Sequence, residues 1–387
     1  MIRRIEALDI IRGLSIIGIL FVNIHSFSWP EIYDSNPSEY WSLPFNHVVH
    51  DFLFVLFQSS FYPIFALLFG VSMTFIFKGA EKRGLNPYRI YTKRLIFLLG
   101  IGAFHAFFIW YGDILIIYAL LGLVLLLFYR LKANTLLSLG VVLWLVPNSL
   151  YGLYLYISQT ALVPYDNSLV IRTVTNAYQS GFWKIVAQNM EDWNQLYNLY
   201  SIPFIFVSIF PMFILGLAVA KKNWHVSIGG TSEQIKKTWI AAGVLGLFFK
   251  ILPIFEPNNL LYAHIAEAFG GPLLGLFYAL CITRCSPSGS YIEGIAAVGR
   301  MSMTNYLLQS ILGFIIYKIG GLYGQLPPLV NLLVAMVIIA FQLTISAFWM
   351  KRFKSGPVEL LWKKFTYGST GGQVKKSKVA LEYSEGS

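Results

Sequence analysis

Charge is what this chain has least of. Only 12% of its 387 residues are Asp, Glu, Lys or Arg, about half the share with which a soluble domain covers its surface. That scarcity excludes a water-soluble globular protein. Cysteine is nearly absent as well. Cys281 and Cys285, four apart in CITRC, form neither a disulfide framework nor, lacking a second pair, a zinc site. No small-residue cleavage site follows the first hydrophobic run, which therefore stays attached as an anchor. There is no solenoid-type repeat and no pair of matched halves, which counts against an inverted-repeat transporter.

What the chain has in abundance is apolar and aromatic: 56% of residues are hydrophobic and 17% are Phe, Trp or Tyr. At ~20 apolar residues per crossing of a ~30 Å hydrocarbon layer, the runs predict ten spans. They are Ile10 to Trp29, Val48 to Phe77, Leu95 to Tyr111, Ile114 to Tyr129, Thr135 to Ile157, Ile202 to Ala220, Thr238 to Phe255, Leu260 to Thr283, Ser302 to Tyr317 and Val330 to Met350. The second is too long for one straight helix and contains Pro63, so a kink or break is expected near Ser59 to Pro63.

The net charge of +11 is mostly a topology signal. With the N-terminus inside, 25 of the 29 Lys and Arg residues fall on the inner side, among them Arg3, Arg4, Arg12 and the six from Lys78 to Arg94. Arg172, Lys184, Lys250 and Lys318 remain for the outer side. This bias places both termini in the cytoplasm and leaves no reason to expect a nucleic-acid partner. The expected fold class is thus an all-α, polytopic integral membrane protein of about ten transmembrane helices. Residues 1–367 form one helical domain with outer loops at 30–47 and 158–201 and an inner-leaflet amphipathic helix at 356–366. A polar tail, 368–387, is expected to be disordered. The outer loops, one with a helical piece around Phe182 to Tyr200, are placed to cap an outer cavity.

Polar side chains inside spans are costly and mark candidate sites. Asp9 and Arg12 lie three apart at the inner mouth of the first helix, and Asn23 lies eleven residues beyond Arg12, on nearly the same face and ~16 Å deeper. His105 follows Arg94 by eleven residues, near mid-membrane, with Asp113 beyond it at the outer end. A neutral imidazole beside an acid is the usual arrangement of a general base. Asn305 and Gln309, four apart, line one face of the ninth helix with Ser302 beside them and Arg300 at the cytoplasmic edge. Such amides either join helices or hold a polar substrate. His25, His50, Asp51, His264 and Glu267 form a weaker set with no diagnostic metal spacing.

EALDIIRGLSIIGILFVNI, YPIFALLFGVSM, YTKRLIFLLGIGAFHAFFIWYGDILIIYALLGL, GRMSMTNYLLQS and GPVELLWKKFTYG, in that order along nearly the whole chain, resemble the bacterial YeiB-like membrane proteins. These are grouped as domain-of-unknown-function family 418. The LDIIRG opening also resembles that of the wider transmembrane acyltransferase superfamily, which includes heparan-alpha-glucosaminide N-acetyltransferase and the acyltransferase-3 proteins. The resemblance implies a bacterial cell-membrane enzyme that moves an acyl group from cytoplasmic acyl-CoA or acetyl-CoA to a sugar, glycan or other hydroxyl or amine outside. The sugar N-acetyltransferase carries its key His in the first outer loop, where this chain has only His47 and His50 in a different context.

On that basis Arg12, Arg94 and Arg300 are expected to hold the phosphates of CoA, and Asn23, Asn305 and Gln309 to line the channel. His105 is the expected base with Asp113 orienting it, and Tyr306 an oxyanion donor. No metal is expected. Membrane lipids are partners by default, and a homo-oligomer stays open. A transporter or flippase for a polar or lipid-linked solute would use the same buried groups and is the alternative.

Overall fold

The computed structural model describes residues 2–34, 43–159, 167–224, 233–285 and 289–368. The predicted disordered tail beyond 368, residues 35–42 and 160–166 of the two outer loops, and the side chains of Arg3 and Arg4 lie outside the described residues.

Every regular element among the described residues is helical. In hydrocarbon, backbone N–H and C=O groups find partners only within their own helix, and the apolar runs fold accordingly. Among the described residues, eight stretches are long and apolar enough to cross a membrane. The protein is a multi-pass, all-α membrane protein. The eight are α1 (Ile2–Ser28), the pair α2 (Pro44–Leu56) and α3 (Phe61–Glu81), α4 (Pro87–Phe108), α6 (Ala133–Ser158), α9 (Ser201–Lys221), α10 (Glu233–Phe255), the run from α11 (Leu260–Ile265) to α12 (Gly271–Cys285), and α15 (Pro328–Arg352).

The two remaining predicted spans are shorter or broken. One is α5 (Leu115–Leu125), extended by a 3-10 turn, and the other is α14 (Ser302–Gly313), which continues into a π turn, Phe314–Ile319. Contacts at both ends show that each still runs the full depth of the bundle. At one end of α5, Asp113 meets His105 near the end of α4; at the other, Arg130 Nε donates to Tyr88 Oη at 3.3 Å beside the start of α4. α14 likewise begins at the basic end, and its π turn brings Lys318 to the carbonyl of Ile109 at the opposite end. α13 (Ser290–Arg300) precedes α14 and packs along the inner half of α1.

The expected break falls at Phe57–Ser60. Ser59 there has φ 56°, and Pro63 sits in the first turn of α3, where its missing N–H is not needed. Glycines let backbones approach closely: a Cβ at Gly216 of α9 would strike the carbonyl of Leu67, and one at Gly70 of α3 the carbonyl of Phe213. The surface is inverted relative to a soluble protein. Leu127 and Val337 are 80% and 69% exposed, while Asn305, Gln342 and Lys250 have no exposure.

Above the bundle, α7 (Ser168–Tyr178) and α8 (Phe182–Leu196) form an outer cap. Lys250 and Lys318, assigned to the outer side by counting, are instead interior. Lys250 donates to the carbonyl of Gln58 at 3.1 Å, and Lys318 to Asn189 Oδ1 at 2.9 Å under the cap. Both stems are long enough to carry their charge inward to polar partners.

α16 (Pro357–Tyr367) also departs from expectation. Leu361 and Phe365 face outward, 58% and 50% exposed, as in a surface helix. Its other face docks on α4 and α14, where Glu359 accepts from the backbone N–H of Met303 (2.8 Å) and Thr304 (3.1 Å) and so satisfies the free N-terminus of α14.

Candidate functional site: two cavities meeting at the broken helix

A cavity of 490 Å³ enters from the basic end between α1, α3, α4, α14 and α16. Its mouth carries Arg12, Arg94, Arg300, Lys354 and Lys363. Its sleeve is apolar, with Ile16, Phe65, Leu68 and Leu98. Its inner end reaches Asn23, Gln58, Tyr62 and Tyr306. The three arginines named from the sequence therefore share one mouth, and Asn23 lies deeper on the same wall. The arginines differ in their surroundings. Arg12 donates to Asp9 Oδ1 at 3.3 Å and to Ser72 Oγ at 3.1 Å. Among the described residues Arg94 has no carboxylate partner; its guanidinium lies over the Trp362 ring at 3.8 Å.

A second cavity, of 260 Å³, lies toward the opposite end. It is lined by His25, Glu31, His50, Glu267 and Asn331, with apolar Phe21 and Phe54. Val22 and Gln58 line both cavities, which therefore approach each other at these two side chains. Gln58 belongs to the α2–α3 break, and Glu267 to the π turn Ala266–Gly270. Gly271 packs directly on the Ser59 carbonyl, which joins the two irregular segments. Departures of this kind from α geometry are frequent at functional positions.

His105 and Asp113 are brought together. Nδ1 of the imidazole lies 2.8 Å from Asp113 Oδ1, while Oδ2 accepts from the backbone N–H of Ile116 at 2.9 Å and caps α5. Tyr197 Oη donates to the Asp113 carbonyl at 2.8 Å. His105 Nε2 is buried with no hydrogen-bond partner among the described residues. The pair does not itself line the cavity: Gly112, Ile114 and Tyr306 form the wall, and the His105 ring sits behind it, 5.4 Å from that of Tyr306.

Asn305 and Gln309 require a correction, since neither lines the cavity. Asn305 Nδ2 donates to Ser346 Oγ at 3.0 Å and to the Met301 carbonyl at 3.2 Å. Gln309 Nε2 donates to Gln342 Oε1 at 3.0 Å and to the Ile16 carbonyl at 3.1 Å. Asn305 joins α14 to α15, and Gln309 joins it to α15 and α1, because in an apolar interior a nearby protein partner is the stable alternative to an unpaired amide. His264 likewise turns to the Asn148 carbonyl, at 2.8 Å, and not to Glu267. His50 meets Asp51 at 3.4 Å, half exposed. Among the described residues, no group of three or more His, Cys, Asp or Glu side chains is placed to hold a metal ion.

Against known proteins, residues 219–369 match the family model described as a protein of unknown function, DUF418. The chain is 34% identical to the uncharacterized protein YxaH of Bacillus subtilis, with 97% of each chain covered. It is 27% identical to the uncharacterized protein YeiB of Escherichia coli, covering 96% of this chain and 98% of that one. It belongs to the YeiB-like, DUF418 family. No solved structure matches it.

The family match takes in α10 to α16, and so Glu267, Tyr306 and the docked face of α16. Several cavity residues carried no isolated signal in the sequence. Gln58 lies within the break and Ser72 faces Arg12 only through tertiary packing. Trp362 and Glu359 sit in a helix whose basic, apolar pattern reads as membrane surface. Tyr91 alone was within reach of spacing arguments, three residues before Arg94 on the same face.

Proposed function

We propose that the protein is an acyltransferase of the bacterial cell membrane, which takes an acyl group from acyl-CoA at its basic, cytoplasmic end and passes it to a hydroxyl or amine presented from the opposite end. The observation that carries this reading is the pair of cavities sharing Val22 and Gln58. A donor with several phosphates suits an arginine-lined mouth, its arm suits an apolar sleeve ~16 Å deep, and the acceptor suits the smaller polar cavity beyond. The likeness of LDIIRG to the transmembrane acyltransferase superfamily supports the same reading.

In this mechanism the acceptor oxygen or nitrogen attacks the thioester carbon. The new C–O or C–N bond forms as the C–S bond breaks, and CoA leaves as the thiol. With its Nδ1–H donated to Asp113, His105 offers Nε2 as the base that takes the acceptor's proton and returns it to the sulfur. Tyr306, standing between that ring and the cavity, relays the proton between the acceptor and His105.

The test is thiol release from acetyl-CoA by purified protein in nanodiscs, with hydroxylamine as surrogate acceptor. Hydroxamate formation that falls to background in His105→Ala supports the reading, and unaltered formation by the folded variant overturns the assignment of the base.

Two cavities that share Val22 and Gln58 also suit a carrier of polar or lipid-linked solutes. A carrier neither binds acyl-CoA nor releases CoA from it, so the same assay separates the two.

A further inference from the structure

We propose that the phosphate-binding subsite of the inner cavity is centred on Arg94 rather than Arg12, and that Trp362 of the C-terminal helix is the residue that positions it. The ligand class is a phosphate ester or diphosphate. This rests on the reading that a phosphorylated donor enters from the basic end, and the experiment below separates the two.

Three arginines share the mouth, but they are not equivalent. Arg12 is paired with Asp9 and bonded to Ser72, so its charge is matched and two of its donors are engaged. Arg300 is exposed at the rim. Arg94 lines the same cavity, has no ion pair among the described residues, and its Nε is buried with no acceptor. Glu359, the carboxylate beside it on the cavity wall, is engaged by the α14 N-terminus through Met303, Thr304 N–H and the Thr304 hydroxyl. An interior guanidinium with unpaired donors is a costly arrangement unless an anion completes it.

Trp362 explains how Arg94 holds its position without a carboxylate. The indole face lies 3.8 Å from Arg94 Cζ, and its Nε1 donates to the Arg94 carbonyl at 2.9 Å. An acid in that place would fix the side chain but cancel its charge. An aromatic face fixes the guanidinium plane while leaving its charge and its N–H fork available to a phosphate. One turn earlier on α4, Tyr91 supplies a further donor. It lines the same cavity, is 2% exposed, and its hydroxyl has no hydrogen-bond partner among the described residues. Arg94 and Tyr91 therefore present unused donors on one face of one helix, held in place from α16.

The test uses full-length protein in phosphatidylcholine nanodiscs, titrated with CoA and with adenosine 3′,5′-bisphosphate, and followed by mass-spectrometric phenylglyoxal labelling of individual arginines. Ligand is expected to protect Arg94 first. Arg94→Gln is expected to weaken CoA binding about 10- to 100-fold, the range for a lost charged hydrogen-bonding partner. Trp362→Leu should weaken it about 3- to 30-fold, while Trp362→Phe, which keeps an aromatic face, recovers most of the loss. Tyr91→Phe is expected to lose less than Arg94→Gln. The neutral double variant Asp9→Asn with Arg12→Gln should also lose less than Arg94→Gln.

A double variant that loses more than Arg94→Gln, equal affinities for Trp362→Phe, Trp362→Leu and wild type, or labelling of Arg94 that no phosphorylated ligand changes, would each overturn the proposal. A final arm adds phosphatidic acid to the nanodiscs. Protection of Arg94 by that lipid and not by CoA upholds the phosphate subsite while overturning the acyl-CoA reading.

Discussion

The Nδ1 of His105 and the Oδ1 of Asp113 lie 2.8 Å apart at a site where neither side chain is exposed. The carboxylate reaches the imidazole because the α4–α5 hairpin folds back at Gly112, and its second oxygen caps the helix it begins. Asp113→Asn is expected to keep the cap and lose the orientation of the ring, lowering transfer about 100-fold or more. Asp113→Ala should in addition cost about 1 kcal/mol of stability from the lost cap. Hydroxamate formation and thermal unfolding, measured on both variants, separate the two effects, and equal losses in both assays for the two variants would refute this division.

Asn305 holds helices together and does not hold substrate. Asn305→Ala removes both hydrogen bonds between the Asn305 amide and Ser346 Oγ, while Gln342 keeps the backbone carbonyl of residue 305, and should lower stability by about 0.5–2 kcal/mol. CoA affinity should stay within about twofold, because the cavity wall is unchanged. Titration of CoA against the folded variant is the check, and a large loss of affinity would return Asn305 to the binding site.

Gly216 is where α9 touches α3. Gly216→Ala drives a methyl group into the Leu67 carbonyl, and the overpacking should cost about 1–3 kcal/mol. Gly79, with nothing near its absent side chain, is the control: Gly79→Ala should melt with wild type. Detergent melting curves of the pair decide the matter.

The outer cap should loosen as pH rises. Burial holds the Asp192 carboxyl above the ordinary carboxylate range, outweighing hydrogen bonds from Tyr178, Gln188 and Tyr33 and the nearby charge of Lys318. A pKa higher in the folded than in the unfolded cap means that folding favours the protonated form. Its contribution is full below the unfolded value and is lost as pH climbs through the raised one. Amide-exchange protection factors across α7 and α8, with the intrinsic rise of exchange with pH divided out, should therefore fall from pH 4 toward neutrality, and Asp192→Asn should flatten the profile. The opposite slope in wild type would contradict the sign.

Much of the fold is legible in the chain. Hydrocarbon forces unpaired backbone groups into helices, so ten apolar runs give helices at ten places, and Pro63 beside Ser59 and Ser60 marks the break. Part of the site is legible too, because polar groups stand out where lipid excludes them: Arg12, Asn23, Arg94, Arg300 and Tyr306 all line one cavity. Spacing also pairs Asp9 with Arg12 and suggests Asp113 for His105.

Spacing could not say what stands on the far side of each polar group. Asn305 and Gln309 have the same pattern whether they face a channel or Gln342 and Ser346, and only the position of α15 decides. Lys250 counts as an outer charge until the fold draws it in to Gln58. The C-terminal helix reads as a membrane-surface segment until Glu359 finds the free N-terminus of α14 and Trp362 finds Arg94. The sequence by itself determined the helices, the basic end and the roster of buried polar residues, because these follow from the energetics of single segments in lipid. Which of those residues meet, which are satisfied by a neighbouring helix, and which are left facing a cavity with unused donors depends on contacts between residues as far apart as Arg94 and Trp362. Only the tertiary structure decided that.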